Sequence, residues 1–384
     1  MDRRTFLASS AVASAGVICN TASLGTRGAE DSLAPHPPAF AVIPVVGDGK
    51  WIWTEPPQDQ KGYLEPRSFE LSIGIELQGT GDASGVMAST PVPLELAEQK
   101  VEDVRITTEG CEAEIRRLAP EAGQLFLAAA GIAPGQTILA KAIYTLLLYK
   151  QYHGYEKAQF PAKQAAPPKA LRLYLGDSPG IQTRDKVVKD LAAKVGGQFD
   201  HPWDKAKAFH HWVWENIKAR IGAYTNVLTA LKTRVGDCEE RAAVFVALCR
   251  TSGIPARLVW LPNHNWAEFY LTDEQGEGHW IPAHTSCYSW FGWTGAHELV
   301  LQKGDNIRIP ELGRPQRLLE DWMRRVGAKP QARYFADLKP LPSVASATSS
   351  DSATADAGPG ERSKSASGEW LNLGKYAKEK FVRR

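Results

Sequence analysis

Thirty residues, Leu231 to Trp260 (LKTRVGDCEERAAVFVALCRTSGIPARLVW), constrain this chain more than any other stretch. Gly236 permits a sharp turn, Asp237 suits a helix N-cap, and Glu239 and Glu240 put negative charge on a first turn that favours it. The spacing predicts a helix from Cys238 to about Ser252, with Gly253 just past its end. Ala242, Phe245, Val246 and Cys249 form one apolar stripe, and Ala243, Val244, Ala247 and Leu248 fill the flanks. A helix apolar on nearly every side is a buried one. The core is therefore expected around a helix that begins with a cysteine, where unpaired N–H groups and the positive dipole end lower a thiol's pKa and can hold an oxyanion.

The next segment offers a base. Pro262 and Asn263 read as a turn, and His264 to Leu271 alternates as a strand with His264, Trp266, Glu268 and Tyr270 on one face. A second strand, Trp280 to His284, puts Trp280, Pro282 and His284 on one face. The expected register sets His264 opposite His284 and Leu271 opposite Glu277, leaving Thr272 to Gly276 as a five-residue hairpin loop.

On GDCEERAAVFVALCRTSGIPARLV, HNWAEFYL and WIPAH, in that order, the chain resembles the transglutaminase-like superfamily of papain-like thiol enzymes. The resemblance covers roughly Ala206 to Asp305 and implies an α+β fold, a central helix packed on an antiparallel sheet. It implies that Cys238 is the nucleophile and His264 the base. The third family position, normally an aspartate, is His284 here. A neutral histidine accepts a hydrogen bond but supplies no charge to the imidazolium. Three readings follow: activity is weaker, another acid such as Glu268 or Asp273 substitutes, or the site does no chemistry. The family also carries an aromatic or amide donor for the oxyanion upstream of the cysteine, for which Tyr224 and Asn226 are candidates. Trp266 and Trp290 are candidates for the substrate side. The segment Cys287 to Trp293 reads equally as a groove wall or as a core plug.

At 384 residues the chain has room for two domains and tails, and 45 Lys+Arg against 43 Asp+Glu give no electrostatic case for nucleic acid. Arg3-Arg4-Thr5-Phe6-Leu7 and the small apolar run after it resemble a twin-arginine export signal over 1–29, which implies a periplasmic or envelope location. Of five cysteines, Cys19 falls in that signal, and the other four, Cys111, Cys238, Cys249 and Cys287, do not make a disulfide framework. Cys238, His264, His284 and Cys287 lack the close spacing of a zinc site, and nothing calls for a cofactor.

Residues 30–66 read as an irregular lead-in. FELSIGIEL from Phe69 to Leu77 alternates as a half-buried strand, followed by candidates at Gln99–Thr107, Ala113–Leu118, Gln124–Ala129 and Thr137–Lys150. This argues a β-sandwich over 67–159, ahead of a core domain over 160–342. Within the core, helices are expected over Arg184–Lys194 and, capped by Asp204, over Lys205–Arg220, with His210 and His211 at its surface or core edge. Leu318 to Val326 has the pattern of a short basic helix. The Ser/Ala/Thr/Asp run over 343–368 is expected to be a disordered spacer, and 369–384 a basic amphipathic tail able to touch an anionic envelope surface or fold back.

Two functional classes remain. One is a thiol acyl-transfer enzyme acting on a protein or peptide amide, by hydrolysis or by cross-linking to an amine. The other is a noncatalytic envelope binding or scaffold protein that keeps the fold.

Overall fold

The computed structural model describes residues 53, 55–220, 224–262 and 264–342. The expected export signal, the lead-in up to Ile52, the spacer and the basic tail lie outside the described residues.

Strict alternation builds the N-terminal half. In β1 (Gly62–Gln78) Phe69, Leu71, Ile73, Ile75 and Leu77 all point inward, each contributing about 1.5–3 kcal/mol by burial. After β2 (Ala83–Val92), β3 (Gln99–Glu109), β4 (Glu112–Ala119) and β5 (Ala122–Ile132) comes β6 (Thr137–Tyr152), whose Ile138, Ala140, Ala142, Tyr144, Leu146 and Leu148 share the inner face. The antiparallel register Leu71↔Tyr144, Ile73↔Ala142 and Ile75↔Ala140 brings the two stripes together. β2, which no alternation predicts, carries Ser89, Thr90 and Pro91 at buried positions and so lacks a clean hydrophobic period.

The helices follow: α1 (Lys186–Gly196), α2 (Pro202–Asn216), α3 (Val227–Thr233) and α4 (Cys238–Thr251), with the short parallel pair β7 (Lys218–Ala219) and β8 (Val235–Gly236) beside them. α2 starts earlier than its expected Asp204 cap. Pro202 sits in its first turn, where a missing N–H is harmless, and the His201 ring accepts from Trp203 N at 3.1 Å. α4 has every residue from Ala242 to Cys249 fully buried, as its all-round apolarity requires.

α4 lies on β9 (Ala256–Leu261) and β10 (His264–Thr272), and β10 pairs with β11 (Gly278–Ala283). That hairpin differs from the expected register by two residues, with Thr272↔Gly278 and Ala267↔Ala283 paired and Asp273 to Glu277 as the loop. The Asp273 carboxylate decides it by accepting the N–H of Gln275 at 3.0 Å and of Glu277 at 2.8 Å, while Gly276 takes φ +87°. A two-residue slip preserves faces, so His264 and His284 still lie on the same side.

The remaining strands are short β12 (Trp293–Thr294), β13 (Gln302–Lys303), β14 (Ile307–Arg308) and β15 (Pro315–Gln316), then β16 (Trp322–Gly327) and β17 (Gln331–Pro340). β16 replaces the helix expected over Leu318–Val326. It pairs with the edge of β2, Trp322↔Ser89, and that edge overrides a weak helical pattern. β17 pairs with β1 along ten residues, Phe69↔Pro340 to Gln78↔Gln331.

Both late strands thus join the sandwich sheets rather than the helical core. One sheet runs β12-β6-β1-β17 with β3 also on β6. The other runs β11-β10-β9-β13-β5-β2-β16 with β4 also on β5. The second sheet crosses from the core into the sandwich through β13, and buried charges follow it. Arg257 pairs with Glu268 at 2.7 Å and with Glu121, and Lys303 pairs with Glu268 and Glu98 at 2.6 Å each. Glu98 and Glu121 come from the sandwich half, the other three from the core.

Candidate active site

The loop-to-helix turn forms as the sequence implies. The Asp237 side chain accepts the N–H of Glu239 at 2.8 Å and of Glu240 at 3.3 Å, and the Glu240 carboxylate returns to Asp237 N at 3.0 Å, a complete capping box. The cap takes up those two amides and leaves the Cys238 amide, at the helix start, for an incoming oxygen. Cys238 is partly exposed.

The sulfur lies against the start of β10, where the Asn265 N–H favours the thiolate. That influence is outweighed. Burial first, then the charge of Asp237, with Glu239 and Glu240 adding to it, pushes the thiol well above its ordinary range. The expected lowering by the helix dipole is therefore reversed, because burial, and after it the charge of the acids that cap the helix, outweighs it. Asp237 is itself raised to about 8 by burial and by Glu240 beside it.

His264 and His284 come together at the rim of the sheet. Their Nε2 atoms are 3.1 Å apart and their rings stack at 4.7 Å with 23° between planes. Trp266 stacks on the far side of His284 at 6.1 Å, and Trp290 meets it edge-on at 5.0 Å. Both indoles are at most 2% exposed, so they wall His284 in and do not line an open groove. The His284 carbonyl accepts from His210 Nε2 at 3.1 Å, which makes His210 a fully buried support and not the surface or core-edge residue expected. Burial, with the charges of His284 and Arg241, holds His264 well below the ordinary histidine value, and burial brings His284 down to about 3. At neutral pH the site holds a thiol and two neutral imidazoles.

Tyr224 and Asn226 have other work. The Tyr224 hydroxyl donates to Gly180 O at 2.9 Å under the Arg317 guanidinium, and the Asn226 side-chain oxygen caps α3 by accepting from Thr229 N at 2.8 Å. In the Cys287–Trp293 segment Trp290 and Trp293 plug the core, whereas Tyr288 stays at the edge, stacked on His211 at 4.3 Å.

Neither acid named as a substitute for the missing aspartate reaches His284. Glu268 is buried and committed to Lys303 and Arg257, which hold it ionised against the effect of burial. Asp273 closes the hairpin loop and pairs with His279 at 2.8 Å. The carboxylate beside His284 is Glu298, with Oε1 3.6 Å from His284 Nε2. The sequence signal for it was an acid inside the apolar run of HELVL. Sequence reasoning also misses Arg241, one turn after Cys238. It is buried, lies 5.0 Å over the Trp214 ring, and its charge acts on Cys238, His264 and His284. A cavity of about 530 Å³ lined by Thr183, Lys189, Arg250 and Thr251 lies at the opposite end of α4.

Residues 189–285 match the family described as the transglutaminase-like superfamily. An uncharacterized protein of Haemophilus influenzae is 34% identical over 107 residues, spanning 24% of this chain and 28% of that protein. Among solved structures, one named "a Putative Cysteine Protease", from Cytophaga hutchinsonii, is 16% identical with TM-score 0.48, covering 72% of this chain and 99% of its own. A second, from Parabacteroides distasonis and named a "putative protease", is 14% identical with TM-score 0.24, covering 55% of this chain and 42% of its own. The helix that opens with Cys238 and the strands that carry His264 and His284 thus form the α+β core of a transglutaminase-like domain, and residues 189–285 belong to the transglutaminase-like superfamily.

Proposed function

We propose that this chain is an exported cysteine hydrolase that cleaves peptide amide bonds through an acyl-enzyme on Cys238. The observation that carries the reading is the 3.1 Å contact between His264 Nε2 and His284 Nε2, next to a cysteine that sits against the amide of the residue after His264. With Nε2 engaged by His284, the Nδ1 of His264 is the nitrogen left to take the thiol proton.

In this mechanism the thiolate forms only as it attacks, because the resting thiol and imidazole are both neutral. The S–H proton passes to His264 Nδ1, sulfur bonds to the carbonyl carbon, and the oxyanion faces the Cys238 amide at the positive end of α4. Collapse breaks the C–N bond, and the same proton leaves on the amine. Water then enters and gives one proton to His264 as its oxygen bonds to the acyl carbon; the C–S bond breaks, the acid is released, and the proton on His264 returns to the Cys238 sulfur. The twin-arginine-like start of the chain supports placing this chemistry outside the cytoplasm.

Iodoacetamide labelling followed by intact-mass measurement tests the reading. Cys238 is expected to alkylate at pH 8 despite its raised thiol, because His264 takes the proton as the sulfur reacts, and His264→Ala is expected to slow it by at least about tenfold. Cys238→Ala is expected to abolish release of aniline from peptide anilides. A Cys238 whose alkylation rate is the same with and without His264 sinks the hydrolase and leaves the binding-module reading.

A further inference from the structure

Glu298 lies beyond the 189–285 span, between the aromatic plug and β13, and is 5% exposed. Its Oε1 is 3.6 Å from His284 Nε2, the same nitrogen that lies 3.1 Å from His264 Nε2. The carboxyl therefore sits beside the ring that His264 contacts. Neither of its oxygens has a hydrogen-bond partner among the described residues, an arrangement that costs stability and calls for a reason. The Trp266 indole N–H is near enough to favour the ionised form but falls short of hydrogen-bond geometry. Lys303 is shared between Glu98 and Glu268, and the neighbouring His297 is turned away to the Glu65 carbonyl at 2.6 Å.

We propose that Glu298 is the acid of this site, a positioning residue that acts through His284 to supply the negative charge that an aspartate at 284 would bring. The role rests on the thiol-hydrolase reading. When the S–H bond of Cys238 breaks and an N–H bond forms at His264 Nδ1, one unit of positive charge enters the paired rings. The proton between the two Nε2 atoms can sit on either ring, and on His284 it lies next to Glu298 Oε1. On return of the proton to the leaving amine the rings are neutral again, and Glu298 has neither gained nor lost a proton. This arrangement explains how a histidine is tolerated at 284, since the charge comes from one residue further out.

Burial and the charge of Glu98 push Glu298 up to about 8, against the opposing influence of Trp266 and Lys303. Over that range His264 and His284 are neutral, Cys238 is a thiol, and Arg241, itself lowered by burial to about 10, is cationic. Below pH 8 the side chain is thus an uncharged acid, which glutamine mimics closely. Above it the carboxylate can act.

The test compares the full chain with Glu298→Gln, Glu298→Asp and the double variant His284→Asp/Glu298→Gln. Two quantities are read from pH 6.5 to 9: the rate of Cys238 alkylation by iodoacetamide, and kcat and KM for a peptide anilide. The ratio of native to Glu298→Gln rates is expected to grow by at least about tenfold across the range, in kcat and not in KM, and His284→Asp is expected to restore the loss. A ratio that is constant with pH, whether near one or uniformly large, overturns the proposal, as does a double variant no better than Glu298→Gln. Should Glu298→Gln fail to fold, Glu298→Asp carries the test. A retained basic limb of reduced height supports the role, and an unchanged height overturns it. A Cys238 rate indifferent to His264→Ala defeats the hydrolase reading itself, whereas a His264-dependent rate with an indifferent Glu298→Gln defeats only Glu298.

Discussion

Arg241 stands one helical turn from the sulfur, buried just before the apolar run from Ala242 to Cys249, and its charge works in two directions. It disfavours protonation of His264 and His284, and it is itself stabilised by an ionised Cys238. Its pull on the sulfur works against the burial and the three acids that oppose a thiolate. Arg241→Met is expected to slow Cys238 alkylation at pH 8.5 by roughly tenfold, about one pKa unit of lost stabilisation, while Arg241→Lys retains most of the rate. Equal rates in the two variants would show that packing on Trp214, and not charge, is what the residue provides. At this scale Cys238, His264 and His284 were legible because their motif is local and its alternation fixes which side chains share a face. Glu298 and Arg241 were not. Glu298 reaches the site through a segment with no period of its own, and Arg241 has the spacing of a solvated helix residue until the fold closes over it. Tyr224 and Asn226 erred in the opposite way, being near in sequence but claimed by a carbonyl and a helix end.

Among the elements, the β10–β11 hairpin best separates what a pattern can tell from what a turn decides. Period-two alternation gave the faces, and so the meeting of the two histidines, but the register was set by one carboxylate. Asp273→Ala removes the acceptor of two loop N–H groups and the partner of His279, and is expected to lower the urea unfolding midpoint. Asp273→Asn, which still closes the loop, should lose less; a loss as large as alanine's would shift the weight to the His279 pair. α4 and β1 were readable for a related reason, since their apolar patterns are nearly uninterrupted. β16 and β2 were not, because each is defined by the edge it pairs with more than by its own residues.

For the whole molecule, the buried titratable groups predict how stability changes with pH. Asp237 and Glu298 stay protonated in the folded chain to about 8, while an unfolded carboxyl ionises near pH 4. Between those values the folded state holds more protons, so these two groups make stability fall as pH rises. His210 and His284, lowered to about 3, and His211 and His297, lowered to about 4, act in the opposite sense. The unfolded chain takes up their protons below about 6.5, so stability falls as pH drops through that value. His153 and His264 are depressed as well and add to that side. Histidines outnumber the acids, and the urea midpoint is expected to climb from pH 5, peak between about 6 and 7, and decline toward 8. A midpoint still rising at pH 8 would show that the two carboxyls are ionised in the folded chain.

The sheet that crosses at β13 has a further consequence. β13 is hydrogen-bonded to β9 on one side and to β5 on the other, and Lys303 on it holds one carboxylate from each half of the molecule. Glu98, which pairs with that lysine, also bears on Glu298. A substitution at Glu98, on the sandwich side of the crossing, can therefore retune the thiol centre by altering a counter-charge, with no side chain moved in the centre itself. The two halves would have to evolve as a unit, and a transplant of the helical half onto a foreign sandwich would carry its nucleophile across while leaving its ionisation behind.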